Sequence, residues 1–230
     1  MGSTGGSEST ITTQAQDRTI NQIIRRTRDL KNEQYRIVDE EGNIVLERKG
    51  ARHEVSGTVG EKRQFMEGGV GIHNHPEGGT FSLPDLRDFG FSARQIVAAS
   101  PEGTYKLTNL NYNNRMKRTA GWRDMQEAME KAGVDADVSF TELQKQAREA
   151  PAVKKLGDQI SAISDRWVQG HNSGASAEAQ QKLMDEYNRL SDQYKKMLRD
   201  ERRRLETAPY HEFYKKNARK YGFKYEFIPR

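Results

Sequence analysis

Gly71-Ile72-His73-Asn74-His75-Pro76-Glu77-Gly78-Gly79-Thr80-Phe81-Ser82-Leu83-Pro84-Asp85-Leu86 is the stretch around which the 230-residue chain is organised, and the apolar Val70 leads into it. Alternate residues of an extended chain point the same way, so His73 and His75 can offer both imidazoles to one point. Ser-Leu-Pro-Asp reads as a helix start, with Ser82 as N-cap and Pro84 in the first turn. Residues three apart on a helix share a face, which lets Asp85 turn toward the same point. Two neutral imidazoles, one carboxylate and an open fourth position are the donor set of a catalytic zinc site. The plain alternative is a Gly/Pro-rich turn that happens to hold two histidines. The full ordered set of donors argues against it.

His-X-His-Pro followed by Ser-X-X-Asp resembles the JAMM motif of the JAB/MPN metalloprotease superfamily, which includes deubiquitinase-like isopeptidases. The usual pattern puts seven residues between the second histidine and the serine. Here there are six, Pro76 to Phe81. Asn74 between the histidines and Phe-Ser before X-X-Asp look closer to the JAB-like domains of phage head-morphogenesis proteins and bacterial toxin cassettes. The resemblance covers roughly residues 30 to 110. It implies an α+β fold, a JAB/MPN-like mixed sheet with flanking helices, and a glutamate before the opening strand as general base. Glu33 stands where that pattern wants it, just before a strand and six residues ahead of the turn aspartate Asp39. Glu54 is the rival for that role, while Glu40, Glu41 and Glu47 read as turn or surface carboxylates.

Composition bounds the rest. Hydrophobic residues make up 33% and charged residues 31%, and the mean hydropathy is -0.98. That is too polar for one compact globule, so part of the chain should be solvated helix or tail. The absence of cysteine excludes disulfides and thiolate zinc sites. No apolar run approaches membrane-spanning length, which points to a soluble, cytoplasmic protein of a bacterial host or one associated with a virion. The net charge of +5 hides 38 basic residues interleaved with 33 acidic ones. Arg202-Arg203-Arg204 runs straight into Leu205 and Glu206 and reads as a solvated helix face, so nucleic acid is not the expected partner.

In chain order, residues 1–17 read as a disordered, Gly/Ser/Thr-rich leader. Ile20, Ile23, Ile24 and Leu30 predict an amphipathic helix over about 18–30. Glu33 to Leu46 is a hairpin with a Glu-Gly-Asn turn. Residues 60–67 suit a covering helix, and His53 before it is a loop histidine discounted as a ligand. Val70 to Ile72 is a buried strand that carries the histidines at its end. Phe89 and Phe91 are expected to pack inward. Gln95 to Ser100 and Thr104 to Leu107 form a second hairpin. These elements make a zinc domain over 18–111. Residues 112–206 are read as a long helical arm or insertion. Its Leu156, Ile160, Ile163 and Trp167 form one stripe, and Leu183, Tyr187, Leu190, Tyr194 and Met197 form a near-heptad seam. An intrachain hairpin is preferred to a dimerising coiled coil, and His171 in its loop reads as inert. Over 207–230, a short helix from Pro209 and an aromatic strand near Phe223 to Phe227 are expected to return to the sheet.

The resulting function is that of a JAMM-type, zinc-dependent hydrolase of amide or isopeptide bonds, phage or mobile-element encoded, acting on a protein or peptide. His73, His75 and Asp85 would bind one zinc. Glu33 would move the proton, and Ser82 would donate to the developing oxyanion. Two alternatives stay open. One is an accessory or structural virion protein with the same fold and a partner-binding arm. The other is a metal-dependent nuclease, although His-Asn-His here is far more compact than the HNH nuclease motif.

Overall fold

The computed structural model describes residues 12–50, 68–89, 93–134 and 140–230, with 87–89 and 140 described as backbone only. The element order is α1 (Gln14–Thr27), β1 (Gln34–Val38), β2 (Ile44–Lys49), β3 (Val70–Asn74), α2 (Leu83–Phe89), β4 (Gln95–Ser100), β5 (Gly103–Asn109), α3 (Arg115–Lys131), α4 (Phe140–Glu149), α5 (Pro151–Asn172), α6 (Ala177–Asn217), a 3-10 turn (Ala218–Tyr221) and β6 (Phe223–Pro229). Glu54, His53, the helix expected over 60–67 and Phe91 fall outside the described residues.

The fold is α+β. Six strands form one mixed sheet in the order β2-β1-β3-β4-β5-β6. β3 and β4 run parallel, and the other neighbours run antiparallel. The central strands read as apolar runs because both faces of the sheet are covered. One face holds Val38, Val70, Ile72, Val97 and Ala99 against Ile20, Ile23 and Ile24 of α1. The other holds Tyr35, Ile37, Ile96, Ala98 and Leu107, packed with Phe81, Leu86, Trp122, Met125, Tyr214 and Phe223. The alternation along β3 therefore turns Ile72 to α1 and His73 to the second face.

Contacts divide the chain into two units, one running to Ala136 and resuming at Thr207–Arg230, the other Asp137–Glu206. In the second unit Leu156, Ile163 and Leu190 bury one another, flanked by Ile160, Leu183, Tyr187, Tyr194 and Met197, so the two apolar stripes satisfy each other within the chain.

The structure moves three boundaries expected from the sequence. The first helix starts at Gln14, not near residue 18, because Thr13 and Gln16 form a reciprocal capping box; the leader expected over 1–17 thus overlaps α1. The helical arm does not begin at 112, since α3 buries Trp122, Met125 and Met129 in the sheet's own core. The helix expected to open at Pro209 is instead part of α6, which carries Pro209 in its interior. A proline forfeits one backbone hydrogen bond, and buried Phe213 and Tyr214 anchor the turns beyond it.

Candidate metal centre

β3, paired in parallel with β4, delivers both histidines at its end. His73 is buried, and its register partner across β1 is Tyr35. His75 follows one residue after the strand, held by its N–H donating to the carbonyl of Ala99 on β4 (2.8 Å). Asn74, between them, faces the other side. Its side-chain oxygen accepts from the N–H of Gln34 (2.7 Å), and its amide nitrogen donates to the carbonyl of Asn32 (3.1 Å). Asn74 therefore ties the end of β3 to the segment that contains Glu33.

α2 supplies the third donor. The Ser82 N–H (2.7 Å) and hydroxyl (2.8 Å) both donate to Asp85 Oδ2, and the Asp85 N–H reaches back to Ser82 Oγ at 3.4 Å. This reciprocal cap aims the carboxylate at the histidines. Asp85 Oδ1 stands 3.3 Å from His73 Nε2, and Oδ2 stands 3.6 Å from His75 Nε2. The imidazole centroids are 4.5 Å apart. Ligand atoms from His73, His75 and Asp85 all lie within 4.8 Å of one another, and this group can hold a metal ion.

By type, two imidazoles and one carboxylate suit a divalent metal ion of the zinc kind. The protonation state fits too. Burial, helped by the charge of His73, lowers His75 from 6.5 to about 4, although Asp85 and the Gly79 carbonyl oppose the shift. His75 is thus neutral at pH 7. Burial alone would raise Asp85, but His73, His75 and the Ser82 N–H hold it far below the usual carboxylate range.

The 76–82 loop between the ligands is pinned from distant parts of the chain. His75 Nδ1 lies 3.2 Å from the carbonyl of Gly79. The Gly79 N–H donates to Glu102 Oε1 (2.8 Å), and the Tyr105 hydroxyl donates to the same oxygen (2.5 Å). Thr80 shares a 2.8 Å hydrogen bond with the Tyr225 hydroxyl, which also meets His211 Nδ1 at 2.8 Å. The Tyr214 hydroxyl donates to the Phe81 carbonyl (3.1 Å). Gly78 and Gly79 adopt φ of +90° and +98°, conformations that L side chains rarely take. Sequence reading marked the two glycines only as part of a turn. It missed Glu102, Thr80, Tyr214 and Tyr225, and no spacing signal links residues so far apart.

The sequence-derived site residues fall as follows. His73, His75 and Asp85 come together. Ser82 touches Asp85, and its single hydroxyl hydrogen is directed at that carboxylate. Glu33 is half-buried just before β1 and is not among the three converging ligands. His171 stacks on Trp167 in the second unit. Among the described residues no helix is long and apolar enough to cross a membrane. Comparison with family models, with curated proteins and with solved structures finds no match to this chain.

Proposed function

We propose that the protein is a zinc-dependent hydrolase of amide or isopeptide bonds, of the kind the JAMM-like motif implies. The single observation that carries this reading is the convergence of two imidazoles and one carboxylate, whose ligand atoms lie within 4.8 Å of one another. Bound zinc supplies Lewis acidity and makes hydroxide accessible near neutral pH. Glu33 takes the proton of the water that adds to the scissile carbonyl carbon. As the C–N bond breaks, Glu33 returns that proton to the leaving amine, giving a carboxylate and an amine. Ser82 holds the ligand carboxylate of Asp85, and a turn of its hydroxyl lets it donate to the oxygen on which charge develops. A protein or peptide substrate suits the interleaved surface charge better than nucleic acid does.

Elemental analysis of protein purified without chelator should find about one zinc per chain, and His73→Ala, His75→Ala or Asp85→Ala should each lose it. Wild-type protein that stays metal-free and gains no thermal stability from added zinc would sink the reading. If zinc is bound, assays on isopeptide-linked, peptide and nucleic-acid substrates separate the peptidase from a nuclease using the same site.

A further inference from the structure

We propose that Glu102 is a positioning residue for His75: by fixing Gly79, it sets the His75 tautomer and aims Nε2 at the point shared with His73 and Asp85. This rests on the metal reading above and adds a residue that the motif does not contain. A carbonyl oxygen can only accept, so the 3.2 Å contact between His75 Nδ1 and the Gly79 carbonyl requires the proton on Nδ1. The Nε2 lone pair is then left for the metal. Second partners of this type orient a ligating imidazole, and losing one costs metal affinity.

The Gly79 peptide needs something to hold it, because Gly78 and Gly79 both sit at positive φ in an otherwise polar turn. Glu102, at the turn between β4 and β5, performs that function. One carboxylate oxygen accepts from the Gly79 N–H at 2.8 Å, and the other lies 3.1 Å from where a Gly78 Cβ would stand. Glu102 is in turn fixed by the buried Tyr105, whose hydroxyl donates to it at 2.5 Å. Burial, then this bond to Glu102, pushes the Tyr105 hydroxyl well above its usual range, so it remains a donor at every physiological pH. The relay runs from the Tyr105 hydroxyl to the Glu102 carboxylate, to the Gly79 N–H, and from the Gly79 carbonyl, one Cα further along, to the His75 ring. It crosses from a β-hairpin to the ligand loop without Glu102 being one of the ligands.

The test compares full-length wild type, Glu102→Ala, Glu102→Gln and Tyr105→Phe. Zinc affinity is read by competition with a chelator, and the His75 tautomer by 15N NMR of the metal-free protein. Glu102→Ala should weaken zinc binding by about tenfold or more and shift His75 away from the Nδ1–H tautomer. Glu102→Gln, which keeps an acceptor oxygen, should restore the tautomer and most of the affinity. Tyr105→Phe should fall between them. A folded Glu102→Ala with wild-type zinc affinity and wild-type tautomer overturns the proposal and leaves the metal site standing. If that variant does not fold, unchanged affinity and tautomer in Tyr105→Phe overturn it equally. A wild type that binds no zinc would remove both this proposal and the functional reading.

Discussion

Tyr35 and His73 stand directly opposite each other across β1 and β3. Paired residues in neighbouring strands project from the same face, and so do residues two apart along one strand. Continuing the alternation one residue past the start of β1 puts Glu33 on the His73 side of the sheet. That parity agrees with the resemblance, which makes Glu33 the candidate base. Glu33→Gln should keep the fold and the zinc while lowering hydrolysis by about two to four orders of magnitude, since only the proton acceptor is lost. A Gln variant with near-native turnover would move the base elsewhere, with Glu54 next in line.

Acid should destabilise the metal-free protein in a defined window. His75 falls from 6.5 in an unfolded chain to about 4 in the fold, chiefly through burial. Between those values the unfolded chain binds the extra proton and the folded one does not, so stability drops as pH falls from 6.5 toward 4. The full effect is about 3 kcal/mol. Asp85, held below its ordinary value of 3.8, contributes stability that is fully present above that pH and is lost only below it. Urea melts in chelator at pH 7, 5.5 and 4.5 should show the loss in wild type and a flatter profile in His75→Gln. Parallel profiles would mean that His75 is charged in the fold.

Gly121 lies within α3, where alanine ordinarily gains up to about 1 kcal/mol over glycine. Here a Cβ would stand 2.4 Å from the Tyr221 carbonyl oxygen, a backbone atom that cannot swing aside. Overpacking of this kind costs about 1–3 kcal/mol, so Gly121→Ala should lower the melting temperature by several degrees. A neutral or stabilised Gly121→Ala would show that α3 is not docked on the 3-10 turn.

Truncation separates the two units. A fragment ending at residue 111 loses α3, the end of α6 and β6, and with them buried Trp122, Met125, Met129, Tyr214 and Phe223. Each such side chain contributes about 1.5–3 kcal/mol, against a total stability of about 5–15 kcal/mol for a domain. That fragment should show no cooperative melt. Replacing 137–206 with a flexible linker removes the second unit alone and should preserve both the melt and zinc content. A 1–111 fragment that melts cooperatively and carries zinc contradicts this division.

The candidate metal ligands were legible because their signals are local. Strand alternation brings His73 and His75 together, and one helical turn joins Ser82 to Asp85, all within thirteen residues. The strands of the sheet were legible for the same reason, as apolar runs bounded by Gly and Pro turns. Amphipathic stripes also announced α5 and most of α6. Pro209 misled because a proline's local cost was outweighed by packing on both sides of it. The capping box at Thr13 was overlooked because the apolar period begins only at Ile20. Glu102 and Tyr225 carry no mark of their own, since what places them beside the loop is pairing of β4, β5 and β6.

The bond between Thr80 and Tyr225 joins residues 145 positions apart. A ribosome adding about 5–20 residues per second makes the ligand loop on the order of ten seconds before it makes the tyrosine that braces it. The nascent chain thus displays all three candidate metal ligands while the clamp on their loop is still incomplete. A metal captured before Tyr225 is in place would meet a looser site than the one this clamp completes.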